Sequence, residues 1–217
     1  MTMKIGVLSD THGLLRPEAL AALDGCGAIL HGGDINRREI LDALGKIAPV
    51  HAVRGNNDGE WAGDLPLALD FRLDGLRVYM AHKKRDLPDD LSPYDLVVYG
   101  HSHRYEESRR GNALLLNPGS CGPRRFNQAI TLAVVETAGG AMAVRRVDIA
   151  RPQALQARPA DLKKQIETVM KETQKGRGPK EIAARHGWDA ALVEQIARLY
   201  VTHPGVTADG IMGKMGL

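Results

Sequence analysis

Short apolar runs recur between residues 4 and 148, and most of them end on Gly, Asp, Asn or His. Lys4 to Ser9 carries Ile5, Val7 and Leu8, a run too short for a helix, which predicts a buried strand ending at Ser9-Asp10-Thr11-His12-Gly13. Pro17 suits the first turn of a helix, where its missing N–H costs nothing, and apolar positions follow at Leu20, Ala21 and Leu23 until Gly25. Ala28 to His31 predicts a second strand that delivers Gly32-Gly33-Asp34. Arg37 to Leu44 predicts a second helix with Ile40, Leu41 and Leu44 on one face. Val50 to Val53 predicts a third strand, which stops at Arg54-Gly55-Asn56-Asn57-Asp58. Strand, helix, strand, helix, strand is the order of an α/β fold, a largely parallel sheet with helices on its faces.

After Trp61 the pattern turns to β. Leu69 to Leu73 and Leu76 to Ala81 flank the hairpin signal Asp74-Gly75, and the second run leads into His82. Asp95 to Tyr99 ends at Gly100-His101-Ser102-His103, and Ala113 to Leu116 leads to Asn117-Pro118-Gly119-Ser120. Ala129 to Val135 and Ala141 to Val147 flank Gly139-Gly140 as a last hairpin. The expectation is one sheet from the parallel half and a second from the hairpins, with the polar tips gathered at one end.

The texture changes again around Ala150-Arg151-Pro152, dividing the chain into a domain over 1–150 and a helical extension over 151–217. In the extension Asp161 is read as the N-cap of an amphipathic helix carrying Leu162, Ile166, Val169 and Met170. Pro179 opens a short helix to His186, Gly187 ends it, and Asp189 caps another with Leu192, Ile196, Leu199 and Tyr200. A short helix, a glycine turn and a longer helix resemble a helix-turn-helix.

The totals refine this picture only slightly. A chain of 217 residues with 25% charged side chains is long enough for a real core and has the composition of a globular protein. No run approaches the roughly eighteen apolar residues of a membrane span. The start leads directly into a strand and not a signal peptide, so a cytoplasmic protein is expected. Cys26 and Cys121 are read as buried or incidental thiols. From Arg151 onward eleven Lys and Arg face seven Asp and Glu, a balance of +4 against −1 for the rest of the net +3. So small an excess fits a solvated helical surface as well as contact with an acidic partner.

Five of the polar clusters carry metal-ligand chemistry. On an extended segment Asp10 and His12 project to one side and can reach one ion, and His101 and His103 repeat that spacing. Asp34 has a carboxylate able to bridge two cations, Asn56 an amide oxygen, and His82 a further nitrogen. Singly, each has a structural explanation: Asp10 and Asp34 as caps, His82 as a satisfied core histidine. Jointly, seven such residues at five strand ends point to two metals. Mixed nitrogen and oxygen ligation suits Mn, Fe or Zn better than Mg or Ca, with the ions about 3.5 to 4 Å apart.

The series Asp10-x-His12, Gly33-Asp34, Gly55-Asn56-x-Asp58, His82, Gly100-His101-x-His103 resembles the calcineurin-like metallophosphoesterase superfamily over about residues 4–148. The compact length and Asn117-Pro118-Gly119-Ser120 resemble its small bacterial YfcE-type phosphodiesterases, whose fold is shared by a retromer subunit. The resemblance implies a four-layer α/β/β/α sandwich of two mixed sheets. It also implies two divalent transition-metal ions, Mn first and Fe, Zn or Ni as substitutes. One ion would take Asp10, His12, Asp34 and His103, the other Asp34, Asn56, His82 and His101, with in-line attack by a hydroxide held between them.

Two positions depart from the family pattern. Many relatives have, after the ligand asparagine, a histidine that protonates the leaving oxygen and is oriented by the next aspartate; here those positions are Asn57 and Asp58. An amide cannot act as a general acid, a contribution typically worth about 10² to 10⁴ in rate. Weak turnover of alkyl phosphomonoesters is therefore expected, with better turnover of diesters whose leaving group is acidic. Lys83 and Lys84 stand where relatives often carry glycine and histidine, and with Arg104, Arg124 and Arg125 they are candidates to hold phosphate oxygens. Asn117 to Ser120 either offers backbone N–H groups to phosphate or makes a turn. The expected substrate is a small or nucleotide-like phosphodiester. The competing readings are a protein-binding scaffold of the same fold and a nucleic-acid-directed phosphoesterase. The helix after Asp189 carries only Arg198, beside Glu194, so docking or homodimerisation is favoured over DNA binding for the extension.

Overall fold

The computed structural model describes residues 2–123, 128–139, 141–149 and 159–215, in two compact units that part near residue 150. The first unit holds two five-stranded sheets. In chain order it comprises β1 (Thr2–Leu8), α1 (Pro17–Ala22), β2 (Ala28–His31), α2 (Arg38–Gly45), β3 (Val50–Ala52), β4 (Ala68–Leu73), β5 (Leu76–Ala81), β6 (Leu96–Val98), β7 (Tyr105–Arg110), β8 (Ala113–Pro118), β9 (Thr131–Ala138) and β10 (Ala141–Asp148). Strand order is β10-β9-β1-β2-β3 in one sheet and β4-β5-β6-β8-β7 in the other.

Alternation along the strands builds the layers, because successive side chains point to opposite faces. Ile5, Val7, Leu30, Ala133 and Val135 meet Val78, Met80, Leu96, Val98, Leu114 and Leu116 between the sheets. Leu8, Ile29, Leu132 and Val134 face the other way, onto Ala19 and Leu23 near α1 and Ile40 and Leu44 of α2. On the outer face of the second sheet, Val97, Tyr99, Ala113 and Leu115 are covered by Leu91 and Tyr94 from a segment that follows a 3₁₀ turn at Lys84–Asp86. Cys26 and Cys121 are both free and buried.

One expectation is corrected and one strand is added. The last hairpin does not join the second sheet: β9 pairs antiparallel with β1, so β9 and β10 extend the parallel half. The second sheet is mixed, as the resemblance implied, with β5, β6 and β8 parallel and β4 and β7 antiparallel at its edges. Strand β7 was not anticipated; Tyr-Glu-Glu-Ser-Arg-Arg has no apolar alternation because this edge strand is largely exposed.

The second unit packs α3 (Pro159–Gln174), α4 (Pro179–His186), α5 (Ala190–Thr202) and α6 (Ala208–Met215) around Ile166, Val169, Ile182, Val193, Ile196 and Ile211. Helix α3 begins at Pro159, so Asp161 lies in its first turn and is not the cap; proline is well suited to that start. Gly187 closes α4 at φ 65°, and the Asp189 carboxylate accepts from Leu192 N at 2.7 Å to cap α5. Among the described residues no helix is long and apolar enough to cross a membrane.

Candidate metal centre

The parallel register brings the tips of β1, β2 and β3 to one edge of the first sheet, and those of β5 and β6 to the same edge of the second. The chain leaves these tips in an unusual conformation. Asp10 (φ 55°), His12 (φ 45°), Asp34 (φ 55°), His101 (φ 70°) and His103 (φ 59°) all occupy the left-handed region. Each non-glycine residue there costs on the order of 1 to 3 kcal/mol and persists only where the surroundings fix it. Here they do: Asp10 N donates to Gly33 O, His12 N to Asp34 O, Gly13 N to Ile35 O, and Gly100 N to His82 O, at 2.8 to 3.0 Å.

The extended-segment geometry expected for Asp10/His12 and His101/His103 therefore does not hold. With positive φ at both ends of His101-Ser102-His103, the two imidazoles part and face different neighbours. Two groups of ligand atoms result, Asp10 with His12 and His103, and Asp34 with His82 and His101, each with its atoms within 4.8 Å of one another. Asp34 stands between them: its Oδ2 lies 3.8 Å from His12 Nε2 and 3.4 Å from His82 Nε2. His103 Nε2 lies 3.2 Å from Asp10 Oδ1 and 3.3 Å from His12 Nε2.

The donor set fits a divalent metal. Asp10 Oδ1 and His82 Nε2 are buried and make no hydrogen bond, although buried polar atoms normally find one. Each instead faces ligand-type atoms from another strand tip, which a cation would satisfy. Asn56 is exposed on the β3 loop, and no described contact joins its amide to either group.

Charge in the cluster is unequally distributed. Burial pushes the Asp10 carboxyl up to about 6, against the Ser9 hydroxyl that donates to its Oδ2 at 2.7 Å. Burial would raise Asp34 too, but the His82 imidazole 3.4 Å away and the two hydrogen bonds from Asn57 outweigh it and hold the carboxyl well below its usual range. His82 shows the converse: burial lowers it, yet the Asp34 carboxylate and the Gly32 carbonyl, 2.7 Å from Nδ1, raise it overall. Burial lowers His101, and His82 and Lys83 add to that effect.

The neighbours expected to touch substrate divide. Lys84 is taken up in an ion pair with Glu106 and lies over the Tyr99 ring, so it is not a loose cation at the centre. Lys83 stays close enough to His101 to affect its charge, and Arg104 is exposed beyond His103. Arg124 and Arg125 lie outside the described residues. Asn57 donates from its backbone N to Asp34 Oδ1 at 2.8 Å and from Nδ2 to Oδ2 at 2.6 Å. Asp58 does not orient residue 57; its carboxylate accepts from Ile35 N and Asn36 N at 2.7 Å and from Gly55 N at 2.8 Å, tying the β2 and β3 loops together.

Asn117 to Ser120 makes a brace. Asn117 Nδ2 donates to Gly100 O at 2.8 Å and Ser102 Oγ at 3.0 Å, its Oδ1 accepts from Gly119 N, and Ser120 Oγ donates to Asp10 O at 2.9 Å. Close approach also demands two glycines. A Cβ on Gly55 would lie 2.2 Å from Asp34 N, and one on Gly100 would lie 2.0 Å from Ser9 Oγ. Ser9 and His31 were not anticipated as parts of the site, though a polar residue between an apolar strand and a ligand cluster is the signal both share.

A family model for the calcineurin-like phosphoesterase superfamily domain matches residues 3–140. The chain belongs to that superfamily. A probable metallophosphoesterase of Methanothermobacter thermautotrophicus is 35% identical over 133 residues, 54% of this chain and 77% of the relative. A phosphodiesterase of Methanocaldococcus jannaschii is 29% identical over 141 residues, 55% of this chain and 84% of the relative. Among solved structures, a predicted phosphoesterase from Streptococcus pneumoniae superposes with a TM-score of 0.54 at 22% identity, covering 68% of this chain and 90% of the other. Vps29 from Chaetomium thermophilum gives 0.55 at 21% identity, covering 69% and 100%. These two likenesses show the metallophosphoesterase fold. The family match ends before the helical unit.

Proposed function

We propose that the chain is a phosphodiesterase working with two divalent transition-metal ions, manganese foremost. The observation that carries the reading is Asp34 standing between two Asp/His groups, where one carboxylate can serve both. Asp10, His12, Asp34 and His103 would hold one ion, and Asp34, Asn56, His82 and His101 the other. When bound, the ions supply a nucleophile at neutral pH and neutralise charge on the phosphoryl oxygens.

The chain's own groups set which esters react. His101 is exposed at the open side, with Lys83 beside it to attract an anionic ester. At residue 57 the side chain is an amide already committed to Asp34, so no proton is donated to the leaving oxygen from there. Esters with an acidic leaving group, such as aryl or nucleotide-like diesters, are the preferred class, and alkyl phosphomonoesters are poor substrates.

Metal-depleted protein reloaded with Mn²⁺ and assayed on bis(p-nitrophenyl) phosphate tests this reading. Hydrolysis that needs the metal and is lost in Asp34→Asn supports it. A protein that takes up metal but hydrolyses no diester contradicts it.

A further inference from the structure

His31 ends β2 and is wholly buried, yet both of its ring nitrogens are engaged at the metal-facing loops. Gly33 N donates to Nδ1 at 3.2 Å, which makes Nδ1 the unprotonated nitrogen. Nε2 therefore carries the hydrogen and donates to Thr11 Oγ1 at 3.1 Å, and the Thr11 hydroxyl is left to donate to Ile35 O at 3.4 Å. One imidazole thus connects the turn holding Asp10 and His12 to the turn holding Asp34. Burial keeps it neutral, its pKa lowered to about 3, so the donor and acceptor roles stay fixed.

A buried polar pair of this kind adds little to stability over an apolar pair of the same shape, so stability alone does not account for it. The two carboxylates it spans supply a reason. Asp10 and Asp34 are two carboxylates on facing turns, joined by Asp10 N donating to Gly33 O, and both sit on residues in the left-handed region. Without a cation the turns have cause to separate. A rigid, uncharged link placed behind them opposes this and keeps the ligand atoms at binding distance.

We propose that His31 is a positioning residue for the metal centre: through Thr11 and Gly33 it sets the spacing of the Asp10 and Asp34 carboxylates, and so the affinity for metal. The inference rests on the two-ion reading above.

The test is titration of metal-depleted full-length protein with Co²⁺, followed by its visible absorption, in the wild type and in His31→Leu, His31→Gln, Thr11→Val and Leu44→Ala. His31→Leu and Thr11→Val are expected to bind about 10- to 100-fold more weakly, with altered Co²⁺ bands. His31→Gln should recover most of the affinity, because its amide can still donate to Thr11 Oγ1. Leu44→Ala, which opens a cavity under α2, should lower the melting temperature and leave Co²⁺ affinity unchanged. If His31→Leu does not fold, Thr11→Val decides. Wild-type affinity in Thr11→Val, or an equal loss in Leu44→Ala, overturns the positioning role while the metal centre stands. A wild type that takes up no Co²⁺ overturns the centre itself.

Discussion

Asn57 grips Asp34 with two hydrogen bonds, one from its backbone N–H and one from its side-chain amide, one to each carboxylate oxygen. Residue 57 thereby holds the carboxylate that lies between the two ligand groups. Replacing Asn57 by Ala removes one of the two bonds and should weaken Mn²⁺ binding roughly 10-fold, within the range usual for groups that orient a ligand. Asn57→His should do two opposite things: weaken metal binding by losing the amide, and raise turnover of alkyl esters relative to aryl esters at saturating Mn²⁺. The gain has a ceiling of about 10² to 10⁴, the usual worth of a general acid. Parallel kinetics on an alkyl and an aryl phosphate read both effects; an unchanged ratio would refute the account of leaving-group preference.

Asp58 should matter to stability more than to chemistry. Its carboxylate serves three backbone N–H groups from two loops and is itself buried. Hydrogen bonds to a charged acceptor contribute about 1.5 to 3 kcal/mol each, and three orphaned donors do not sum independently, so Asp58→Ala should cost at least about 3 kcal/mol. Urea unfolding of the metal-free protein measures this. A change below about 1 kcal/mol would mean the loops are held by other contacts.

His31 predicts a pH dependence. Its folded-state pKa of about 3 lies below the ordinary 6.5, so its neutral form contributes stability that is complete above pH 6.5 and is lost as pH falls towards 3. The loss from this group is roughly 1.4 kcal/mol per pH unit across that window. Asp10, raised to about 6, acts in the opposite sense below that pH, so the comparison must be with a variant that retains Asp10. Between pH 7 and pH 5 the wild type should lose roughly 2 kcal/mol more than His31→Gln by urea unfolding without metal. Equal losses would show that His31 is protonated in the folded state.

How much of this was legible depended on what kind of signal each feature leaves. Strand ends such as Leu8, His31 and Ala81 could be placed because buried strands must be apolar and their exits must be polar. The partner of the last hairpin could not, since the alternation in Ala133 to Val135 says which face is buried and nothing about which strand lies beside it. Edge strand β7 left no pattern because it hides little surface. The ligand-type residues were recognisable by type, but their directions depend on left-handed backbone at Asp10, His12, His101 and His103, which residue identity does not reveal. Asn57 was visible only as a departure from the family pattern; its hold on Asp34 needed three dimensions.

We propose that this family member holds two ions, with Asp34 shared between them. Equilibrium dialysis of the metal-depleted protein against Mn²⁺, followed by elemental analysis, tests it most directly. Two ions per chain are expected in the wild type and fewer in Asp34→Asn. A wild type that saturates at one ion or none, or an Asp34→Asn variant that still holds two, would contradict it.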